Sequence, residues 1–272
     1  MVAASLCWSF GGLCIKLIPW SALSIIGLRA LLAAMVFVLY RRSLRVDFTP
    51  GNILAAACLA LTTTLFVFAN KLTTAAAAIL LQFSAPIFII LIELLIYRKK
   101  PKPSEAIAVF VTILGMLLFF AGRLDSGNLL GNILAIASGL TFAGVFVFNK
   151  RTDTDPKQSL FLGFIITAAV GLPFTFFEVT ADPLAWGAII FLGTIQVGLA
   201  YVFFSIGIKR ATALLACLIA ALEPVMNPVW VALVTGETPG HYAVAGGIMI
   251  ILTVIGYNLW VEKHKPKFFI HN

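Results

Sequence analysis

The chain has 272 residues, 61% hydrophobic and 11% charged, with a formal net charge of +8. Soluble domains carry about a quarter charged residues, so a chain this poor in charge cannot clothe a water-soluble fold, and lipid must be the solvent for most of it. The basic residues fall in short clusters between apolar runs, which fits membrane topology and excludes the continuous stripe that a nucleic-acid partner would need.

A helix needs about 20 apolar residues to cross the hydrocarbon. Ten runs of suitable length follow one another: Val2–Ile18, Ala22–Tyr40, Asn52–Ala69, Ala75–Tyr97, Glu105–Ala121, Leu129–Phe148, Ser159–Phe177, Leu184–Gly207, Ala213–Thr235 and His241–Trp260. The first lacks a basic leader and a small-x-small cleavage site, so it is expected to be a span rather than a cleaved signal. With the amino terminus inside, the inner segments hold Arg41, Arg42, Arg45, Arg98, Lys99, Lys100, Lys102, Lys150, Arg151, Lys157, Lys209, Arg210, Lys263, Lys265 and Lys267; the outer side holds Lys16, Lys71 and Arg123. That asymmetry predicts an integral protein of the plasma membrane with both termini cytoplasmic. The four cysteines, Cys7, Cys14, Cys58 and Cys217, lie inside apolar runs without metal-ligand spacing, so no metal and no cofactor are expected.

The second half repeats the first. An offset of 138 pairs Phe66 with Phe204, Lys71 with Lys209, Thr74 with Thr212, Ala78 with Ala216, Pro86 with Pro224 and Pro101 with Pro239. An offset of 133 aligns the first and sixth spans, pairing Ala4-Ser5 with Ala137-Ser138. The expected units are residues 1–123 and 124–272, five spans each. Five is odd, so the second repeat should be inverted relative to the first: an all-α integral membrane fold of ten transmembrane helices in two inverted five-helix repeats.

Four stretches carry a family resemblance: Ser5-Leu6-Cys7-Trp8-Ser9-Phe10-Gly11-Gly12 through Lys16; Leu28-Arg29-Ala30; Ala85-Pro86-Ile87-Phe88; and Ile208-Lys209-Arg210-Ala211-Thr212-Ala213 through Leu222-Glu223-Pro224-Val225 to Gly236-Glu237-Thr238-Pro239. On these the chain resembles the drug/metabolite transporter superfamily, EamA type, over nearly its whole length. The resemblance implies a carrier of small metabolites working by alternating access, with a central cavity lined mainly by spans one, three, four, six, eight and nine. Ala85-Pro86 and Arg98-Lys99 stand in the first repeat where the second has Glu223-Pro224 and Gly236-Glu237, so no symmetric role for these carboxylates follows.

The chemistry gathers near mid-membrane. Pro86 and Pro224 remove an N–H and free the carbonyls of Gln82 and Ala220, which need partners in protein or a wet cavity. Ala216, Ala220, Glu223, Asn227 and Trp230 share one face of span nine; Gln82, Pro86, Ile89 and Glu93 share one face of span four. A carboxylate at the bilayer centre costs about 2.5–3.5 kcal/mol on insertion scales. Glu223 therefore either accepts a coupling proton, meets a cationic or amino-bearing substrate, or plays a structural part at a helix end or with Arg29. Arg29 reads as structural; Glu93 should reach the inner boundary and pair with Arg98 or Lys99. Trp8, Tyr201 and Trp230, with Phe83 and Phe142, could line an apolar pocket. Trp20, Trp186 and Trp260 read as interfacial anchors.

The favoured function is secondary, ATP-independent transport of a small-molecule substrate, an amino acid or related amine. The alternative is an organophosphate or nucleotide-sugar exchanger, with Lys209-Arg210 as an anion clamp. An intramembrane enzyme is disfavoured, because HExxH, GxSxG and paired intramembrane aspartates are missing, and no P-loop supplies ATP chemistry.

Overall fold

The computed structural model describes residues 1–11, 14–15, 18–121, 128–178, 180–226, 229 and 240–264; among them the chain is helical and has no strand. We label the helices α1 (Val2–Trp8), α2 (Ala22–Arg41), α3 (Pro50–Leu72), α4 (Ala75–Gln82), α5 (Ala85–Tyr97), α6 (Pro103–Phe119), α7 (Leu129–Phe148), α8 (Pro156–Glu178), α9 (Pro183–Phe191), α10 (Ala200–Gly207), α11 (Ala213–Ala220) and α12 (His241–Lys263). A π-helical stretch, Leu192–Leu199, joins α9 to α10, and a short 3-10 turn, Ile208–Arg210, ends that run.

Among the described residues, seven segments are long and apolar enough to cross a membrane: α2, α3, α7, α12, the compound segments Ala75–Tyr97 and Pro183–Arg210, and Pro156–Phe176 within α8. Pro103–Phe119 and Ala213–Met226 are shorter apolar helices. The expected first span is represented by α1 and a few residues after it, and the expected ninth span is described only as far as Met226 and at Val229. Large apolar side chains cover the outside, including Leu39, Leu95, Phe110, Phe176 and Leu252, each more than 60% exposed. A surface of this kind is stable only against acyl chains.

Helix starts follow ordinary capping chemistry. Ser21, Thr49, Thr74 and Thr212 each accept a backbone N–H of their own first turn, and Pro50, Pro103 and Pro183 occupy first-turn positions where no N–H is needed. Lateral packing depends on small residues. α2 lies along α8, where a Cβ on Gly27 would stand 2.4 Å from the Gly171 backbone; α6 lies along α12, where a Cβ on Gly246 would stand 2.5 Å from the Gly115 carbonyl oxygen. With apolar lipid outside, such close backbone approach supplies the dispersion attraction that holds helices together.

The 138-residue repeat appears in the helix ends. α4 and α11 are both eight residues long, begin after a capping threonine, and end just ahead of Pro86 and Pro224 respectively. Trp20 departs from its expected role as an interfacial anchor. It is 3% exposed and packs edge-on against Trp186 at 5.4 Å between ring centroids, and its Nε1 donates to Thr180 Oγ1.

Candidate functional site

The break between α4 and α5 places the first functional side chain. The chain turns at Phe83 and Ser84, and Ser84 Oγ donates to the Leu81 carbonyl at 2.6 Å. Gly139 of α7 faces this break: a Cβ there would lie 2.7 Å from both Gln82 O and Ser84 Oγ. The missing side chain lets α7 seat against the turn, and Gln82 Nε2 then donates to Ser138 Oγ at 2.6 Å.

Around this junction is a cavity of about 50 Å³, room for a few waters. It is lined by Trp8, Arg29, Thr62, Thr63, Phe66, Gln82, Phe142, Gln196, Val197, Tyr201 and Glu223. All are buried except Phe66 and Glu223, which are half-buried. Six helical segments therefore contribute: α1, α2, α3, α4, α7 and the Pro183–Arg210 run, with Glu223 added from just beyond α11.

The hydroxyls in this layer are mostly satisfied from within. Thr62 Oγ1 donates to the Cys58 carbonyl at 2.7 Å and lies 2.9 Å from Thr141 Oγ1; Thr63 Oγ1 donates to the Leu59 carbonyl at 3.0 Å. Gln196 sits in the π-helical stretch, where the wider turn carries its side chain to α1, and its Nε2 donates to the Trp8 carbonyl at 3.2 Å. Its Oε1 is buried without a hydrogen-bond partner. A buried acceptor left unpaired costs about 1–3 kcal/mol, so it is a natural place for an incoming donor.

Charge is arranged unusually. Among the described residues the ion pairs are Lys99–Glu93, Lys99–Glu105 and Arg151–Asp153. Arg29 and Glu223 line the same cavity but are not paired with each other, and Tyr201 stands within electrostatic reach of both. The ion pair with Arg29, one of the alternatives open to Glu223 on sequence grounds, is therefore not formed in this structure. Glu93 does pair at the boundary as expected, with Lys99 as its partner.

Apolar clusters lie to either side of the polar layer. Trp8 is ringed edge-on by Phe142 at 6.1 Å and Tyr201 at 5.1 Å, and Phe146, Phe164 and Phe204 extend that aromatic cluster. A separate cluster of Ile15, Ile18, Trp20, Ile25, Ile26, Val67, Ile189 and Leu192 gathers near the start of α2 and the ends of α3 and α9. Edge-on aromatic pairs contribute about 0.5–1.5 kcal/mol each beyond their burial. The cavity is narrow, and most of the side chains that line it are buried.

The structure brings together Trp8, Gln82, Phe142, Tyr201, Glu223 and Arg29 from the residues expected on sequence grounds. Phe83 is 2% exposed in the apolar core at the helix break, outside the cavity lining. Pro86 and Pro224 are buried beside their breaks. Asn227 and Trp230 lie outside the described residues. Sequence reading missed Thr62, Thr63, Phe66, Gln196 and Val197. A signal existed for three of them: Thr62 and Thr63 belong to a run of three threonines in an apolar span, and Gln196 is the lone amide of its span.

Lys209, considered as an anion clamp, is engaged with protein. Its Nζ donates to the carbonyls of Arg151 at 3.2 Å and Thr154 at 2.8 Å, and Lys150 Nζ donates back to the carbonyls of Ile208 and Lys209, each at 3.1 Å.

Known proteins agree with this picture. An uncharacterized transporter of Archaeoglobus fulgidus is 27% identical over 197 residues, 72% of this chain and 71% of its own. The uncharacterized transporter YwfM of Bacillus subtilis is 27% identical over 218 residues, 76% of this chain and 73% of its own. The pseudopaline exporter CntI of Pseudomonas aeruginosa is 24% identical over 184 residues, 66% of this chain and 64% of its own. A crystal structure with 19% identity superposes over 95% of this chain and 96% of its own with a TM-score of 0.79, which establishes a shared fold. Residues 1–121 and 129–259 each match the EamA-like transporter family. With a polar cavity inside an apolar helical bundle and a family match in both halves, the chain belongs to the EamA-like transporter family and is an integral membrane transporter.

Proposed function

We propose that the protein is a secondary transporter of zwitterionic small metabolites, amino acids or related amines, and that it works by alternating access across the plasma membrane. The observation that carries this reading is that two opposite charges, Arg29 and Glu223, line one cavity without an ion pair among the described residues, beside the unpartnered Gln196 Oε1. A substrate carboxylate would take the bidentate donors of Arg29, and its ammonium would meet Glu223, Gln196 Oε1 and the face of Trp8. Proximity of the two charges to Tyr201 suits a short zwitterion better than a long one. Arg29 thus moves from a structural role to a binding one, and Asn227 and Trp230 remain proposed members of the site. With no ligand present, Glu223 is the residue that would exchange the coupling proton.

Ten spans in two inverted repeats, residues 1–123 and 124–272, with both termini cytoplasmic, remain our reading of the architecture. The equal helices α4 and α11, 138 residues apart, support it, as does the family match in both halves. A relative named as an exporter supports outward transport. The organophosphate or nucleotide-sugar reading loses its main support, because the Lys209 ammonium is occupied by two carbonyls.

The test is a thermal-shift screen of purified protein against amino acids, amines and carboxylic acids presented separately. Ligand that binds only the folded state raises its stability by RT ln(1 + [L]/Kd), about 2.7 kcal/mol at a hundredfold excess over Kd. Zwitterions should stabilise where the matched amine and the matched acid alone do not. Stabilisation by phosphorylated compounds alone would replace this proposal with the exchanger reading.

A further inference from the structure

Lys71 lies in the last turn of α3, and its Nζ donates to the carbonyl of Ile18 at 2.9 Å. Its repeat mate Lys209 donates to the carbonyls of Arg151 and Thr154. The offset of 133 that aligns the first and sixth spans carries Ile18 onto Arg151. Donor and acceptor therefore both map by the repeat, and the same bond is made twice: the end of a third helix reaches back to the segment that follows a first helix. The residues behind the lysines repeat as well. Thr74 Oγ1 accepts from Ala77 N–H, and Thr212 Oγ1 accepts from Leu215 N–H, each at 3.1 Å.

The two bonds lie at opposite ends of the bundle. Asp153 and Asp155 hold the start of α3, where Gly51 N–H donates to Asp153 Oδ2 and Asp155 N–H donates to Asn52 Oδ1. Lys209 grips this same segment, Arg151 to Thr154, whereas Lys71 is near the far end of that 23-residue helix, about 30 Å from Gly51 along its axis at 1.5 Å per residue. Lys71 sits beside the apolar cluster around Ile15 and Ile18, and Lys209 sits beside the core containing Ile208 and Phe204. The cavity lies between them with both bonds made.

We propose that Lys71 and Lys209 are paired gate latches: positioning residues, each of which closes one mouth of the cavity and must release its carbonyl before that mouth opens. Lys150, which donates to the carbonyls of Ile208 and Lys209, reinforces the second latch. An ammonium is suited to the task. It is strongly hydrated, so water entering an opening mouth replaces the lost carbonyl bonds and keeps the barrier low.

This inference rests on the alternating-access reading, but its test needs no substrate, so it can fail while the substrate assignment stands. In protein with Cys7, Cys14, Cys58 and Cys217 replaced by alanine, single cysteines are placed at Ile15 or Ile208, which are 1% and 0% exposed. The rate of alkylation by a hydrophilic maleimide is measured on the purified full chain in detergent. Lys71→Met should raise labelling at the Ile15 position about tenfold and lower it at the Ile208 position. Lys209→Met should do the reverse. A tenfold shift is what the loss of one charge-assisted bond produces in a two-state population. Lys→Arg at either position, which keeps a cationic donor, should return both rates toward the parent. If Lys71→Met or Lys209→Met does not fold, Lys→Gln is used in its place and should shift the rates in the same directions. Labelling that rises at both reporters with either variant would mean general loosening and would overturn the proposal; so would unchanged rates.

Discussion

The two broken helices of this bundle have the same skeleton and different chemistry. α4 and α11 are eight residues each, both begin at a threonine cap, and both stop just before a proline. In the first, the polar side chain is Gln82, one position before the break, and it is consumed by Ser138 of α7. In the second, the polar side chain is Glu223, three residues past α11, and it faces the cavity without an ion-pair partner among the described residues. The repeat mate of Glu223 is Ala85, which is fully buried, and that of Gln82 is Ala220, also fully buried. One break is tied into the packing of α7, and the other carries the carboxylate proposed to bind substrate. A duplicated scaffold fixes where backbone is interrupted, and the residues placed at the interruption decide whether it binds protein or substrate.

Glu223→Gln tests this contrast most directly. The amide keeps the shape but cannot ionise, so transport should fall by about tenfold to a hundredfold, the loss of one charge-assisted contact, while the melting midpoint stays close to the parent. Uptake or efflux kinetics beside a thermal melt would check it. An equal loss of stability and transport would make both breaks structural.

Gly139→Val should act on the other break with the opposite balance. Its side chain would meet the Gln82 carbonyl and Ser84 Oγ at distances no neighbour can accept without moving α7. We expect about 2–3 kcal/mol of destabilisation, measured by chemical or thermal unfolding in detergent. Gln82→Ala should be milder. It leaves Ser138 Oγ without its donor, removes no charge, and should cost about 1–2 kcal/mol of stability.

The smallest effect is expected at a site that belongs to neither break. Arg151 donates to both carboxylate oxygens of Asp153, at 2.8 and 3.1 Å, and with the Gly51 N–H it holds that carboxyl below its ordinary range. A carboxyl depressed on folding contributes stability that is present above the unfolded pKa and lost as pH falls through the folded one. Asp153→Asn should therefore flatten the acid side of the stability profile below about pH 4 and leave neutral pH nearly unaffected. A change at neutral pH comparable to that of Gln82→Ala would mean that this joint carries more than screening allows.

Much of the frame was legible beforehand. Apolar run lengths located the seven long apolar segments because hydrocarbon thickness sets a minimum length, and the 138-residue offset located both breaks because proline cannot continue the hydrogen-bond ladder. Trp8, Gln82, Phe142, Tyr201 and Glu223 were legible as cavity residues from helical spacing and span identity. Arg29 and Gln196 were not. A lone arginine in an apolar span reads as structural until no ion-pair partner stands beside it among the described residues, and the inward swing of Gln196 depends on a π-helical stretch that no propensity announces. Trp20 was misplaced because an aromatic near a helix end suits an interface as well as a core, and Trp186 decides between them.

The sequence by itself determined the solvent, the helical class, the duplication and the positions where helices must break, because each follows from local rules: apolar length, charge spacing and the missing proline N–H. Only the tertiary structure decided which partners the polar groups meet. Gln82 is matched to Ser138, Lys209 to two carbonyls and Lys71 to Ile18, while Arg29 and Glu223 share a cavity without pairing. Those outcomes depend on contacts between residues more than fifty positions apart, set by glycines that let particular backbones meet, and no local pattern in the chain records them.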